Sequence, residues 1–111
     1  MIEAVIKDYL DAQLTEPVYL EKPDPAPDRY VLFEKTGSGR RNGALSSTFA
    51  FQSYAESLYQ AAMLNEKVKA AVDSLITQDE IGSVRLNSDY NYTNTVTKKH
   101  RYQAVYDINH Y

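Results

Sequence analysis

The sequence predicts an α+β fold, with an antiparallel sheet of four to five strands packed against two helices in the order α-β-β-β-α-β-β. Three observations predict it. Apolar residues recur with helical period near the start and again across residues 53–75. Four segments alternate with period two or are rich in β-branched and aromatic residues, and a shorter one precedes them. Turn chemistry, rather than long linkers, separates these segments, so 111 residues form a single domain, 1–111, around one core.

The first helix is read over 2–14. Ile2, Val5, Ile6, Tyr9, Leu10 and Gln13 share one face, and Glu3, Lys7, Asp8 and Asp11 take the other. "PVYLEK", 17–22, is a short strand. "PDPAPD", 23–28, has three prolines, which remove backbone donors and favour a stiff extended path. "RYVLFEKTG", 29–37, is a strong strand. "ALSSTFAFQ", 44–52, is the next; it points Leu45, Ser47, Phe49 and Phe51 one way and Ser46, Thr48, Ala50 and Gln52 the other. Between these two strands, "SGRRNG" is expected to form a long hairpin loop.

The second helix is read over 53–75, with Ser53 and Glu56 as a capping box. Its apolar stripe comprises Leu58, Ala61, Ala62, Leu64, Val68, Ala71, Val72 and Leu75. The small residues Ala61, Ala62, Ala70 and Ala71 would let it lie close on a sheet. "GSVRLNS", 82–88, resumes as a strand, "DYNYTNTVTKK", 89–99, is polar, and "HRYQAVYDINHY", 100–111, alternates again.

Charge and composition narrow the function. The net charge is −3, which gives no general nucleic-acid signal. It is unevenly placed: residues 1–37 hold eight acids and four bases, a net of −4, whereas residues 81–111 hold two acids and four bases, a net of +2. Such asymmetry helps subunits meet head to tail, by steering more than by affinity. No apolar run approaches a membrane span, and the N-terminus has acids where a signal peptide has bases, so a soluble, cytoplasmically made chain is expected. The absence of cysteine removes disulfides, thiolate nucleophiles and zinc-thiolate sites.

Catalytic patterns are missing. "GSGRRNG" contains G-x-G but lacks the third glycine and a helix start, so it is not a phosphate cradle. His100 and His110 would lie about 33 Å apart along a strand, too far to share a metal, and are read as solvated strand-end residues. Asp24/Asp28 and Asp79/Glu80 are read as acids that solvate turns. Neither a metal nor a cofactor is expected, and the chain is not expected to be an enzyme. Tyr30, Tyr102 and Tyr106 are read as sheet residues, and Tyr90, Tyr92 and Tyr111 as exposed tyrosines of the kind favoured at interfaces. Tyr92, Lys98, Lys99, Arg101 and Tyr102 mimic a single-strand stacking pattern, which the acidic total argues against.

Three stretches carry a resemblance: "DRYVLFEKTGSG" (28–39) after a helix, a short strand and prolines; "FAFQSYAESLYQAAMLNEKVKAAVDSL" (49–75); and "HRYQAVYDI" (100–108). Taken in order, the chain resembles the small tail-terminator, or tail-completion, proteins of long-tailed (siphovirus-like) bacteriophages and prophages. Related chains often carry a proline-glycine turn before the R-Y strand, where this one has "TVTKKH". The resemblance implies a subunit that forms a hexameric ring on the last ring of the tail tube, stops tube growth and presents a surface to the head-side connector. It transfers no catalytic residue. Its implied partners are other copies of itself, the tail-tube protein and the head-side connector, with no membrane and no sequence-specific nucleic acid. The implied location is the head-proximal end of the virion tail, after assembly in the host cytoplasm.

On that reading the partner-facing residues are those of two loops. Gly37, Ser38, Gly39, Arg40, Arg41, Asn42 and Gly43 form the first. Asp89, Tyr90, Tyr92, Lys98 and Lys99 belong to the second, within 88–99. The alternatives are a head-tail connector (joining) protein of the same virion, a small anion- or nucleotide-binding protein, and a stand-alone regulatory module.

Overall fold

The computed structural model describes residues 1–41 and 43–111, without the side chain of Arg41. Helix α1 (Ile2–Gln13) leads to strand β1 (Val18–Tyr19), then β2 (Tyr30–Arg41), β3 (Ala44–Ala55), helix α2 (Leu58–Asp73) with a 3-10 turn over Ser74–Thr77, β4 (Ile81–Asn91) and β5 (His100–His110). The expected α+β class, element order and helix count are all observed. Among the described residues the sheet has five strands in the order β1-β2-β3-β5-β4. The four long strands are antiparallel to their neighbours, and the two-residue β1 runs parallel to β2, which makes the sheet mixed. The α2 crossover carries the chain past β5, so β5 returns between β3 and β4.

One face of the sheet is covered by the helices. Val31 and Phe33 of β2, Phe49 and Phe51 of β3, and Ala104, Tyr106 and Ile108 of β5 are fully buried there. Ile6 and Leu10 of α1 and Leu64, Val68, Val72 and Leu75 from α2 and its 3-10 turn complete the core. The period-two pattern of β3 and β5 and the period-3.6 pattern of the helices are therefore met in one place. The stripe of α2 differs at its start. Leu58 is 39% exposed, and Asn65, a polar residue, is buried in the line instead.

The beginning of α2 is a correction. Ser53 and Glu56 do not cap it. Ser53, Tyr54 and Ala55 continue β3, paired with Tyr102, Arg101 and His100 of β5, and the ladder outcompetes local capping. Ser57 is the N-cap, accepting a hydrogen bond from the Gln60 backbone N–H at 3.1 Å. Glu56 is drawn away by Arg29, with which it forms a bidentate ion pair.

The hairpin between β2 and β3 is a second correction. Residues 37–41 are not a loop: pairing runs on to Arg41↔Ala44, interrupted by a one-residue bulge at Thr36. The connection is the two residues Asn42-Gly43, and Gly43 has φ +82, a value glycine adopts without strain. Asn42 itself lies outside the described residues. An Asn-Gly pair between alternating strands is a strong two-residue hairpin signal. Gly37, Gly39 and the arginine pair masked it.

Candidate assembly surface

The two expected partner-facing regions lie at opposite ends of the sheet. The hairpin tip at Arg41 and Ala44 sits beside the end of β5 at His110 and the start of β4 at Ile81. The β4–β5 connection, residues 92–99, sits beside the start of β5, near Ala55 and Tyr30. The molecule is 42 Å long against 25 and 23 Å in the other directions.

At the tip end, every residue of β2 from Glu34 to Arg40 is exposed, although this stretch is as well paired to β3 as the buried half. The helices stop short of it, although Lys35 reaches back to Glu3 of α1 at 3.5 Å. The distal part of β2 is thus an outer strand, paired to β3 alone while β3 is backed by β5 as far as Leu45↔His110, and it is stiffened by that ladder and by Thr36 Oγ1, which donates to the Thr48 carbonyl. Leu45, expected on the core-facing side, is 39% exposed for the same reason.

The second region is also more ordered than a polar loop. Asp89 and Tyr90 belong to β4, which runs to Asn91, so the expected loop over 88–99 shrinks to 92–99. Asn91 Oδ1 accepts from the backbone N–H and hydroxyl of Thr93, and Asn94 Oδ1 accepts from the N–H groups of Val96 and Thr97. These side chains build the turn. Lys98 closes it with φ +56 and donates its N–H to the Asn94 carbonyl. Arg101 clamps the turn from β5: its guanidinium lies 4.3 Å from the Tyr92 ring centre, and its Nε donates to the Tyr92 carbonyl at 2.6 Å.

Asp89 is committed within the fold. Its carboxylate accepts from Asn65 Nδ2 at 2.7 Å and Lys69 Nζ at 2.5 Å, which ties β4 to α2 and pairs the nitrogen of the buried Asn65 amide, whose Oδ1 has no partner among the described residues. Asp89, with Glu66, holds the Lys69 ammonium above its ordinary pKa. Tyr106 is anchored similarly: burial, then its bond to Asp73 at 2.9 Å, pushes its hydroxyl upward. Tyr90 and Tyr92 are each about two-fifths exposed and meet edge to face at 5.8 Å.

The helix-free face carries a polar relay that alternation alone does not announce. Arg101 Nη1 donates to the Tyr54 hydroxyl, which donates to Gln52 Oε1; Gln52 Nε2 donates to Gln103 Oε1, and Gln103 Nε2 to the Tyr90 hydroxyl. Gln52 and Gln103, directly opposite each other on β3 and β5, are each 8% exposed. His110 is a further correction. It is buried rather than solvated, with Nε2 2.8 Å from Ser47 Oγ, because its parity places it on the helix-covered face.

Two hollows lie near these regions. A shallow trough of about 660 Å³ crosses the helix-free face, lined by Ala44, Ser46, Ser83, Arg85, Asp107 and Asn109. Its only charged groups are Arg85 and Asp107, and Asp107 already accepts from Thr48 and Asn87. A smaller hollow of about 280 Å³ is walled by Pro27, Tyr30, Tyr54, Lys98, Lys99 and His100, among others. Among the described residues the Tyr30 hydroxyl and His100 Nδ1 have no partner, but both atoms are closed off from the surface. Among the described residues no group of three or more His, Cys, Asp or Glu side chains is placed to hold a metal ion. No helix among them is long and apolar enough to cross a membrane. No protein-family model matches the chain, and no curated protein matches its sequence.

Proposed function

We propose that this chain is a structural subunit of a bacteriophage tail that assembles with other copies into a ring, caps the tail tube, ends its growth and presents its far side to the head connector. One observation carries the reading: two polar, locally stiffened regions lie at opposite ends of the strand direction, separated by a core that neither shares. With the ring axis along the strands, one rim presents the β2–β3 ribbon tips and the other the 92–99 turns. A terminator needs two such unlike surfaces, one for the tube and one for the connector. The resemblance carried by residues 28–39, 49–75 and 100–108 supports the same reading, and it alone supplies the hexamer and the virion location.

The capping mechanism is geometric. One rim is complementary to the last tube ring. The other lacks a further tube-binding surface, so the next tube ring has nowhere to add. Stiff polar ribbons and turns on a rigid sheet suit this work, because little conformational entropy is lost when they dock.

The test is tube growth. Tail-tube protein of the same virion, polymerised in the presence of this chain, should give shorter tubes that carry extra density at one end in electron micrographs. Tubes of unchanged length with bare ends would overturn the terminator reading. Bare tubes together with binding to the connector ring would replace it with the head-tail joining role.

A further inference from the structure

We propose that copies of this chain join edge to edge, with β4 of one copy pairing antiparallel to the open edge of β2 of the next, locked by Arg40 and Arg41 against Asp79 and Glu80. The inference rests on the reading above only in that copies of the chain assemble; it adds which surfaces meet and in which register.

The first observation is an uncovered edge. β1 shields β2 only at Val31 and Leu32. From Glu34 to Arg41, eight residues, β2 has β3 on one side and no strand on the other among the described residues. β4 is the opposite edge, paired to β5 alone over its eleven residues. Long open edges attract further strands, and soluble proteins usually cover or charge them. Here the length that β1 leaves free nearly matches the length that β4 offers, and the end of β1 acts as a stop that sets the register.

The second observation is direction. The strands β2, β3, β5 and β4 alternate up and down, so β2 and β4 of one copy run oppositely. A copy rotated about an axis along the strands keeps every direction. Its β2 therefore arrives antiparallel to the β4 it meets, and the same contact repeats at each subunit. Such a head-to-tail contact closes into a ring when the rotation allows it.

The third observation is charge. Antiparallel pairing with Glu34 near Ser88 brings Arg40 and Arg41 beside the start of β4. Asp79 and Glu80 lie in the turn that enters β4, both exposed, and neither has an ion-pair partner among the described residues. Arg40, also exposed, is equally unpaired there. At longer range, the 81–111 segment, net +2, meets the 1–37 segment, net −4. The bulges at Thr36 and near Asn87 twist both edges and disfavour indiscriminate pairing.

The test uses two charge-reversed variants, Arg40→Glu/Arg41→Glu and Asp79→Arg/Glu80→Arg, with mass in solution measured by light scattering. The wild-type chain should associate. Each variant alone should associate at least about tenfold more weakly, because like charges then face each other across the join. An equimolar mixture should recover assembly, because every alternating contact is again acid against base. Unchanged melting of each variant shows that the loss is not unfolding. The proposal falls if either variant associates like the wild type, if the mixture does not recover, or if the wild type stays monomeric at its highest soluble concentration. Recovered assembly that leaves tube length unchanged would keep the edge join and remove the terminator reading. Short, capped tubes with either variant alone would do the reverse.

Discussion

The two halves of the β2–β3 hairpin share one ladder and almost nothing else. The proximal half, Tyr30–Phe33 against Phe51–Tyr54, buries Val31 and Phe33 under the helices and stacks Tyr30 on Tyr54 at 4.4 Å. The distal half, Glu34–Arg41 against Ala44–Ala50, continues the same pairing with β2 exposed from Glu34 to Arg40, while β3 stays backed by β5 and keeps Ser47, Phe49 and Ala50 buried. Backbone hydrogen bonds are therefore no measure of where this fold gets its stability. Apolar burial supplies it to one half, and in the other half β2 is a stiff outer strand that contributes a surface.

The widest gap between the halves is expected at Phe49. It sits where the two regimes meet, is fully buried, and contacts Phe33 and Phe51 with ring centres 6.1 and 6.2 Å away. Phe49→Ala should cost about 3 to 5 kcal/mol through the cavity it leaves. Denaturant unfolding measures this, and a loss below about 1 kcal/mol would break the claim that burial, and not pairing, stabilises the hairpin. A similar contrast exists along α2. Leu64, 3% exposed, should cost about 2 to 5 kcal/mol as alanine, whereas Leu58, 39% exposed, should cost well under half of that. Equal losses at the two sites would mean that the start of α2 is packed after all.

At the other end of the sheet, order depends on polar ties, and smaller effects are expected. Asp89→Ala removes the acceptor of the buried Asn65 Nδ2 and one of the two carboxylates that hold Lys69, so a loss of about 1 to 3 kcal/mol is expected. A loss of assembly with no loss of stability would instead return Asp89 to the partner surface. A weaker tie is Glu16 with Lys67. Burial of Glu16 works against its ionisation, yet the bonds from Lys67 at 2.8 and 2.9 Å, together with those from its own backbone and Thr15 and the Lys67 charge, outweigh it and hold the carboxyl below its ordinary value of 4.5. A carboxyl lowered in the folded state stabilises the fold above the unfolded pKa, and that contribution fades as pH falls through the folded value. Glu16→Gln should therefore flatten part of the decline in melting temperature below pH 4.5 and nothing above it, with an effect of about 0.2 to 1 kcal/mol.

Much of the fold is legible in the sequence because its signals are periodic. The alternation of Ser47, Phe49 and Phe51 and the stripe from Ala61 to Leu75 each specify a face, and the faces match. The misleading residues are those with two local readings. Ser53 and Glu56 satisfy a capping rule, but Ser53 also continues a strand whose partner, Tyr102, lies 49 positions away, and the sequence carries no trace of that pairing. Gly37 and Gly39 suggest a loop, yet both tolerate an extended ladder, and the true turn lies at Asn42-Gly43. The candidate surface is legible in composition but not in form: an arginine pair among glycines suggests a mobile loop, and Asp79 and Glu80 suggest no more than turn solvation. Only the strand order shows that these four residues flank the two open edges of one sheet.

The smallest expected effect on stability is therefore the most informative about function. Arg40→Glu/Arg41→Glu changes two residues on the stretch of β2 that no helix covers, Arg40 has no ion pair among the described residues, and such surface changes seldom exceed about 0.5 kcal/mol. The melting temperature of this variant should match that of the wild type, and its far-ultraviolet circular dichroism should be unchanged. If the distal ribbon is only a surface held out by the fold, its sequence is free of folding constraints, and its charge pattern can be devoted entirely to a neighbour. A substantial drop in melting temperature would show instead that the ribbon's charges are used within the subunit, and the contrast between the two halves of the hairpin would fail.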